Sequence, residues 1–225
     1  MKVKLVEKFI SINGEGQRAG EPALFLRFPG CNLNCSYCDT RWANDKDVVV
    51  EELTLEEIIN YVRKTEIKNV TITGGEPLLQ KDIAVICKAL VEDGEVQIEI
   101  ETNGSVSIRE IDELRKKNNL AIAVTLDYKL PGSGMEESMM MSNFNYLTVA
   151  DTVKFVAGSK EDLDRGVEVI EQGKLKEKCS VFFSPVYGKI KLEDMANYIV
   201  NRKLNGIRMQ LQLHKFIWDP MERGV

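Results

Sequence analysis

The feature that most narrows the folds open to this chain is a regular alternation of short apolar runs with longer amphipathic ones. Apolar runs stand at 23–28, 70–73, 96–101, 120–126, 152–157, 179–184 and 207–212. Between them lie stretches that read as helices. The first runs from the capping box Thr54-Leu55-Glu56-Glu57 to about Lys64, and the second covers 78–93 and stops at Gly94. A third is capped at Ser107-Ile108-Arg109-Glu110, and two more cover 159–172 and 191–203. Strands alternating with helices give a parallel sheet with right-handed crossovers. A complete eight-unit barrel takes about 250 residues. The 225 residues here must also supply an extended lead-in over 3–12 and a long loop over 127–150. The expectation is an α/β fold: an open, partial parallel β/α barrel of about six units, forming a single domain over 1–225.

Ligands of such folds gather at the carboxyl ends of the strands, and the chemically unusual residues fall there. The run 23–28 is followed by Gly30-Cys31-Asn32-Leu33-Asn34-Cys35-Ser36-Tyr37-Cys38-Asp39-Thr40, which holds three of the chain's five cysteines. Thiolates are soft ligands for iron–sulfur clusters, zinc and copper. Three sulfurs on a four-iron cube leave one iron open, which suits a cluster that binds a small molecule itself. A structural zinc site is the alternative, and it wants four ligands. The lone histidine, His214, and the other cysteines, Cys87 and Cys179, lie far along the chain in apolar stretches. Cys87 and Cys179 read as core residues. The odd cysteine count and the absence of a secretory pattern point away from disulfides and toward a reducing compartment.

Three more segments end strands on the same rim: Gly74-Gly75-Glu76-Pro77, Glu101-Thr102-Asn103-Gly104 and Asp127-Tyr128-Lys129-Leu130-Pro131. Taken alone, Gly-Gly-Glu-Pro is also a plain helix entry, and Asn13-Gly14-Glu15-Gly16 a plain turn. Arg27 interrupts the apolar run Ala23-Leu24-Phe25-Leu26-Arg27-Phe28. Buried there, it needs either an internal carboxylate or one arriving from outside.

The net charge of −5 offers no general attraction to nucleic acid or anionic membranes. The charged N-terminus is no signal peptide, and no apolar run approaches the roughly 20 residues that span a bilayer. A cytoplasmic protein follows as the expectation. Met139-Met140-Met141 in the long loop is a candidate lid or dimer contact, or simply loop packing.

The C-x3-C-x2-C spacing followed by Gly-Gly-Glu resembles the radical S-adenosylmethionine enzymes. That resemblance implies that Cys31, Cys35 and Cys38 hold a [4Fe-4S] cluster whose open iron chelates S-adenosylmethionine. It further implies cofactor contacts from Gly75, Glu76, Asn103, Asp127, Tyr128 and Lys129.

Ile12-Asn13-Gly14-Glu15-Gly16, Arg27, Cys38-Asp39-Thr40 and Gln212-Leu213-His214-Lys215-Phe216-Ile217-Trp218 narrow the likeness. Together with the short length they resemble the 7-carboxy-7-deazaguanine synthase family, over nearly the whole chain. The resemblance implies conversion of 6-carboxy-5,6,7,8-tetrahydropterin to 7-carboxy-7-deazaguanine by radical ring contraction with loss of ammonia, in queuosine and 7-deazapurine biosynthesis. It implies substrate contacts from Ile12, Asn13, Gly14, Arg27, Thr73 and His214, with a C-terminal segment that caps the substrate. Thr40 stands at the matching position for a Mg2+ ligand, the alternative being a hydroxyl bonded to its own loop. A flavodoxin or ferredoxin as electron donor and a homodimer are further expectations. An activating enzyme that forms a glycyl radical on a partner protein is a second reading of the cysteine loop, and a non-enzymatic zinc module a third.

Overall fold

A computed structural model describes residues 1–45, 47–220 and 222–225. The main sheet comprises β2 (Glu7–Ile12), β3 (Pro22–Phe28), β5 (Asn69–Gly74), β6 (Gln97–Thr102), β7 (Ile122–Tyr128), β8 (Thr152–Ala157), β9 (Ser180–Pro185) and β10 (Ile207–Met209). Their spatial order is β10-β9-β8-β7-β6-β5-β3-β2. Every neighbouring pair is parallel except β2 with β3. Six crossovers thus join seven parallel strands. Helices α1 (Leu55–Thr65), α2 (Ile83–Gly94), α3 (Arg109–Asn118), α4 (Lys160–Gly173) and α5 (Leu192–Asn201) serve five of these, and the long β7–β8 connection carries short 3-10 turns instead.

The lead-in is more structured than its sequence suggests. β1 (Lys2–Leu5) pairs with β4 (Glu51–Thr54) in a small antiparallel ribbon, while β2 extends the main sheet. The second helix begins at Ile83 rather than 78, because Pro77–Leu79 forms a separate 3-10 turn. β7 runs on to Tyr128, so Asp127 and Tyr128 belong to the strand itself. The capping box of α1 is present: the Glu57 N–H donates to Thr54 Oγ1 while the Glu57 carboxylate accepts from Thr54 N at 2.7 Å.

The parallel strands alternate. Their outward residues, among them Leu26, Ile72, Ile100, Leu126, Phe155 and Phe183, meet the helices in one continuous apolar core. Full burial of each such side chain is worth about 1.5–3 kcal/mol. The inward positions are polar: Thr71 and Thr73 on β5, Glu99 and Glu101 on β6, Thr125 and Asp127 on β7, and Lys154 on β8. Strand periodicity of two therefore separates a hydrophobic exterior from a polar barrel lumen.

β2 and β10 are the free edges, and side chains bridge the gap between them. Gly16 N donates to Gln210 Oε1 at 2.7 Å, and Gln210 Nε2 donates to Gly16 O at 2.9 Å. Leu213 N donates to Gly14 O at 3.1 Å. Beyond this seam the 13–21 loop covers the amino-terminal ends of the strands. Gln17 Nε2 donates to Asp151 O at 2.9 Å, and the Arg18 guanidinium donates to Asn69 and Gln97. Among the described residues the last helix is α6 (His214–Ile217).

Candidate active site

The carboxyl ends of the strands surround a cavity of about 830 Å³. Its lining includes the three cysteine loop residues Cys31, Cys35 and Cys38 together with Ile12, Gly14, Arg27, Thr40, Thr73, Gly75, Asn103, Asp127, Lys129 and His214. Most residues singled out from sequence are therefore brought together. Asn13, Glu76 and Tyr128 lie outside the lining.

The cysteine loop is fixed from three sides. Gly75 N donates to Phe28 O at 3.2 Å and Glu76 N to Gly30 O at 2.8 Å, so the Gly-Gly-Glu turn is bonded directly to the loop's entry. A Cβ on Gly75 would fall 2.1 Å from Gly30 O and 2.2 Å from Asn44 Oδ1, which only glycine avoids. On another side Asn103 Nδ2 lies 3.5 Å from Cys31 Sγ. On the third, Ser36 N donates to Ser133 O at 3.0 Å and Ser36 Oγ to Gly132 O at 2.8 Å. Burial raises the Cys35 thiol above its ordinary value, with the charge of Lys129 opposing.

Glu76 is fully buried beneath the rim. It accepts from Asn103 N at 2.7 Å, Leu78 N at 3.0 Å and the Thr102 hydroxyl at 2.9 and 3.0 Å. The carboxylate thus joins the turns after β5 and β6, and burial raises its carboxyl above the ordinary value. Tyr128 faces the core, against Phe144 and Phe155, while Asp127 and Lys129 on either side face the cavity and pair at 2.9 Å.

On the opposite wall Arg27 Nε donates to Glu7 Oε1 at 2.7 Å. Among the described residues its two Nη groups make no hydrogen bond, so the internal carboxylate orients the guanidinium and leaves its outer edge open. The Thr73 hydroxyl donates to Glu101 at 2.7 Å. Asn13 lies below, its Oδ1 accepting from Thr71 at 2.8 Å. His214 packs on Gly14 so closely that a Cβ there would lie 2.4 Å from Nδ1. Burial lowers the His214 pKa. Thr40 Oγ1 lies 3.8 Å from Cys38 Sγ. Neighbouring Asp39 pairs with Lys215 at 2.7 Å; burial opposes ionisation, but Lys215 holds the carboxyl below its usual value. Pro220 and residues 222–225 also line the cavity, with Arg223 stacked 4.0 Å from the centre of the Trp42 ring.

The sequence assigned no individual role to Glu7, Glu15, Glu101 or Lys154. For Lys154 the signal was the one used for Arg27, a cation inside an apolar strand, Thr152-Val153-Lys154-Phe155-Val156-Ala157.

The lining fits the cluster and its cofactor. Three thiols occur on one tightly held loop. Nearby, Asn44 Oδ1 and Asp127 Oδ1 are buried acceptors with no donor among the described residues, which suits a ligand that brings an ammonium or hydroxyl groups. For a single zinc ion the fit is poor. Among the described residues no three His, Cys, Asp or Glu side chains surround one ion position. Cys87 is buried in α2.

An open parallel barrel with this cysteine loop at its rim is the architecture of a radical S-adenosylmethionine enzyme, and residues 25–128 match the Radical SAM superfamily. Such enzymes use a [4Fe-4S] cluster and S-adenosylmethionine. The chain is 48% identical to the 7-carboxy-7-deazaguanine synthase of Clostridium acetobutylicum over the full length of both. It is 39% identical to that of Methanospirillum hungatei, covering 97% of this chain and 86% of the relative. QueE from Escherichia coli, at 20% identity, shares the fold with a TM-score of 0.74 over 94% of each chain. The chain belongs to the 7-carboxy-7-deazaguanine synthase family.

Proposed function

We propose that this protein is a lyase that converts 6-carboxy-5,6,7,8-tetrahydropterin to 7-carboxy-7-deazaguanine with loss of ammonia, serving 7-deazapurine biosynthesis. The observation that carries this reading is Arg27. Its guanidinium is aligned by Glu7 and presents a free two-pronged edge to the cavity that the cysteine loop also lines, as capture of a small carboxylate requires. When bound, the cluster, held by Cys31, Cys35 and Cys38, and S-adenosylmethionine would supply one-electron, hydrogen-abstracting chemistry.

The chain's own residues hold and shield. Cys31, Cys35 and Cys38 would ligate the cluster, with Asn103 donating toward Cys31. Gly75, Asp127 and Lys129 would contact the cofactor, and Glu76 would fix the turns that carry Gly75 and Asn103. Ile12, Gly14, Thr73 and His214 would frame the substrate ring, while Asn13 supports their turn from below. His214, with its lowered pKa, is neutral at pH 7 and offers a hydrogen bond without a charge. The Thr40 hydroxyl, bonded to no backbone group among the described residues, is the proposed protein ligand for Mg2+. Pro220 and residues 222–225 line the cavity and would cap the substrate, excluding water. A flavodoxin- or ferredoxin-type donor and a homodimeric assembly complete the reading on the family resemblance.

The test is mass spectrometry of an anaerobic reaction of reconstituted protein with reductant, S-adenosylmethionine, Mg2+ and the pterin. The deazaguanine product is expected. Formation of 5′-deoxyadenosine without it would overturn the substrate. Cys35→Ala should lose the cluster, and Arg27→Ala should keep it while binding substrate weakly.

A further inference from the structure

Four charged side chains form a buried group inside the lumen. Lys154 Nζ lies 2.5 Å from Glu15 Oε2 and 3.6 Å from Asp127 Oδ2, and Asp127 also pairs with Lys129. The Glu15 and Lys154 side chains retain only 8% and 9% of their exposure. Among the described residues each carboxylate is satisfied at one oxygen only, since Glu15 Oε1 and Asp127 Oδ1 are shielded from solvent and accept nothing. A buried acceptor left without a donor is costly unless a ligand supplies one.

The two bare oxygens differ in setting. Asp127 shares its charge with Lys129, which acts on Cys35 and so belongs to the cluster side. Glu15 follows Gly14 directly, and its charge acts on His214. Both neighbours line the cavity. Burial alone would lower the Lys154 pKa, but Glu15, Asp127 and Glu101 hold it well above the ordinary lysine value, so it stays a cation that only donates.

We infer that Glu15 is a specificity-determining residue whose Oε1 accepts an N–H from the 2-amino group of the substrate's pyrimidinone ring, and that Lys154 is the positioning residue that turns Oε1 toward it. This rests on the substrate reading given above. The pterin presents a carboxylate and, elsewhere on the ring, an N–H-rich edge. The cavity lining holds a free guanidinium edge at Arg27 and, just behind its surface, the unpartnered Glu15 Oε1.

Lys154 makes the assignment testable. In Glu15→Gln the amide oxygen must face Lys154, because Lys154 cannot accept, and the amide NH2 is then forced toward the ligand. An acceptor becomes a donor at the same place. The preferred ligand should switch from the 2-amino compound to its 2-oxo analogue.

The experiment is calorimetric titration of cluster-reconstituted, S-adenosylmethionine-loaded holoenzyme with 6-carboxytetrahydropterin and its 2-oxo analogue. The wild type should favour the amino compound by about 100-fold, the scale of a charge-assisted hydrogen bond replaced by two facing acceptors. Glu15→Gln should reverse that order, and adding Lys154→Met should abolish the reversal by freeing the amide to rotate. Wild-type binding of both compounds within threefold would overturn the inference, as would equal weakening of both by Glu15→Gln. If Glu15→Gln fails to hold its cluster, the wild-type comparison decides. Turnover of the amino compound by the wild type is measured in parallel. Its absence strikes the functional reading, whereas turnover without discrimination strikes only the role of Glu15.

Discussion

Glu76→Gln separates two roles that a carboxylate in a Gly-Gly-Glu turn can have. In the structure both oxygens are used internally: Oε1 by Leu78 N and Thr102, Oε2 by Asn103 N and Thr102. Glutamine keeps one oxygen. Its NH2 must replace the other, and in either orientation it faces a backbone N–H; only the Thr102 hydroxyl can rotate to accept. One backbone donor is therefore stranded in a site with no solvent exposure. A hydrogen bond to a charged acceptor is worth about 1.5–3 kcal/mol, and a buried unsatisfied donor costs about 1–3 kcal/mol more. Relief of carboxylate desolvation offsets part of this, leaving a net loss of about 2 kcal/mol. For a chain of this size that corresponds to a fall of about 4–8 °C in Tm. Thermal unfolding followed by circular dichroism, alongside S-adenosylmethionine affinity of the reconstituted protein, gives the answer. A Tm within 1 °C of wild type with weakened cofactor binding would refute the strut and make Glu76 a direct contact.

Gly14→Ala should displace His214, whose Nδ1 would lie 2.4 Å from the new Cβ; KM for the pterin should rise about tenfold with the cluster's EPR signal unchanged. Asp151→Asn should cost about 3–5 kcal/mol in urea unfolding, because Asp151 is completely buried and takes both Nη groups of Arg115, at 2.7 and 2.9 Å. Burial pushes the Glu99 carboxyl up from 4.5 to about 7, with Thr125 opposing and Glu101 adding to the rise. The folded state therefore holds a proton that the unfolded chain releases, so this contribution is complete below pH 4.5 and lost as pH rises to about 7. The loss is on the order of 3 kcal/mol. Glu99→Gln should flatten the stability difference between pH 5 and pH 8 in chemical denaturation.

The sequence made the cysteine loop plain because thiols are scarce and their spacing carries chemistry, and strand-helix alternation made the parallel sheet plain. What it hid was orientation. Asp127-Tyr128-Lys129 looked like a loop cluster, yet Asp127 and Tyr128 end β7 and Lys129 follows directly, so Tyr128 enters the core and its two neighbours face the cavity. Arg27 had two possible partners on paper; the antiparallel register that sets Glu7 opposite it supplies the internal one. Glu15 and Lys154 lie 139 positions apart, and no local pattern relates them. The same distance problem concealed Gly16 and Gln210. Neither residue advertises a partner, and each is an ordinary turn or strand-end residue until the sheet curves enough to bring its edges together.

The seam between those edges also dictates when the site comes into being during synthesis. Domains form from the N-terminus as the chain emerges at about 5–20 residues per second. By the time β9 has been made, the cysteine loop, the Gly-Gly-Glu turn and Arg27 can already be in place. Gln210, Leu213 and His214, which complete the wall next to Gly14, follow Cys38 by 172 positions or more. A nascent chain can therefore present its three thiols to iron–sulfur assembly before the barrel is laterally shut and its substrate chamber completed.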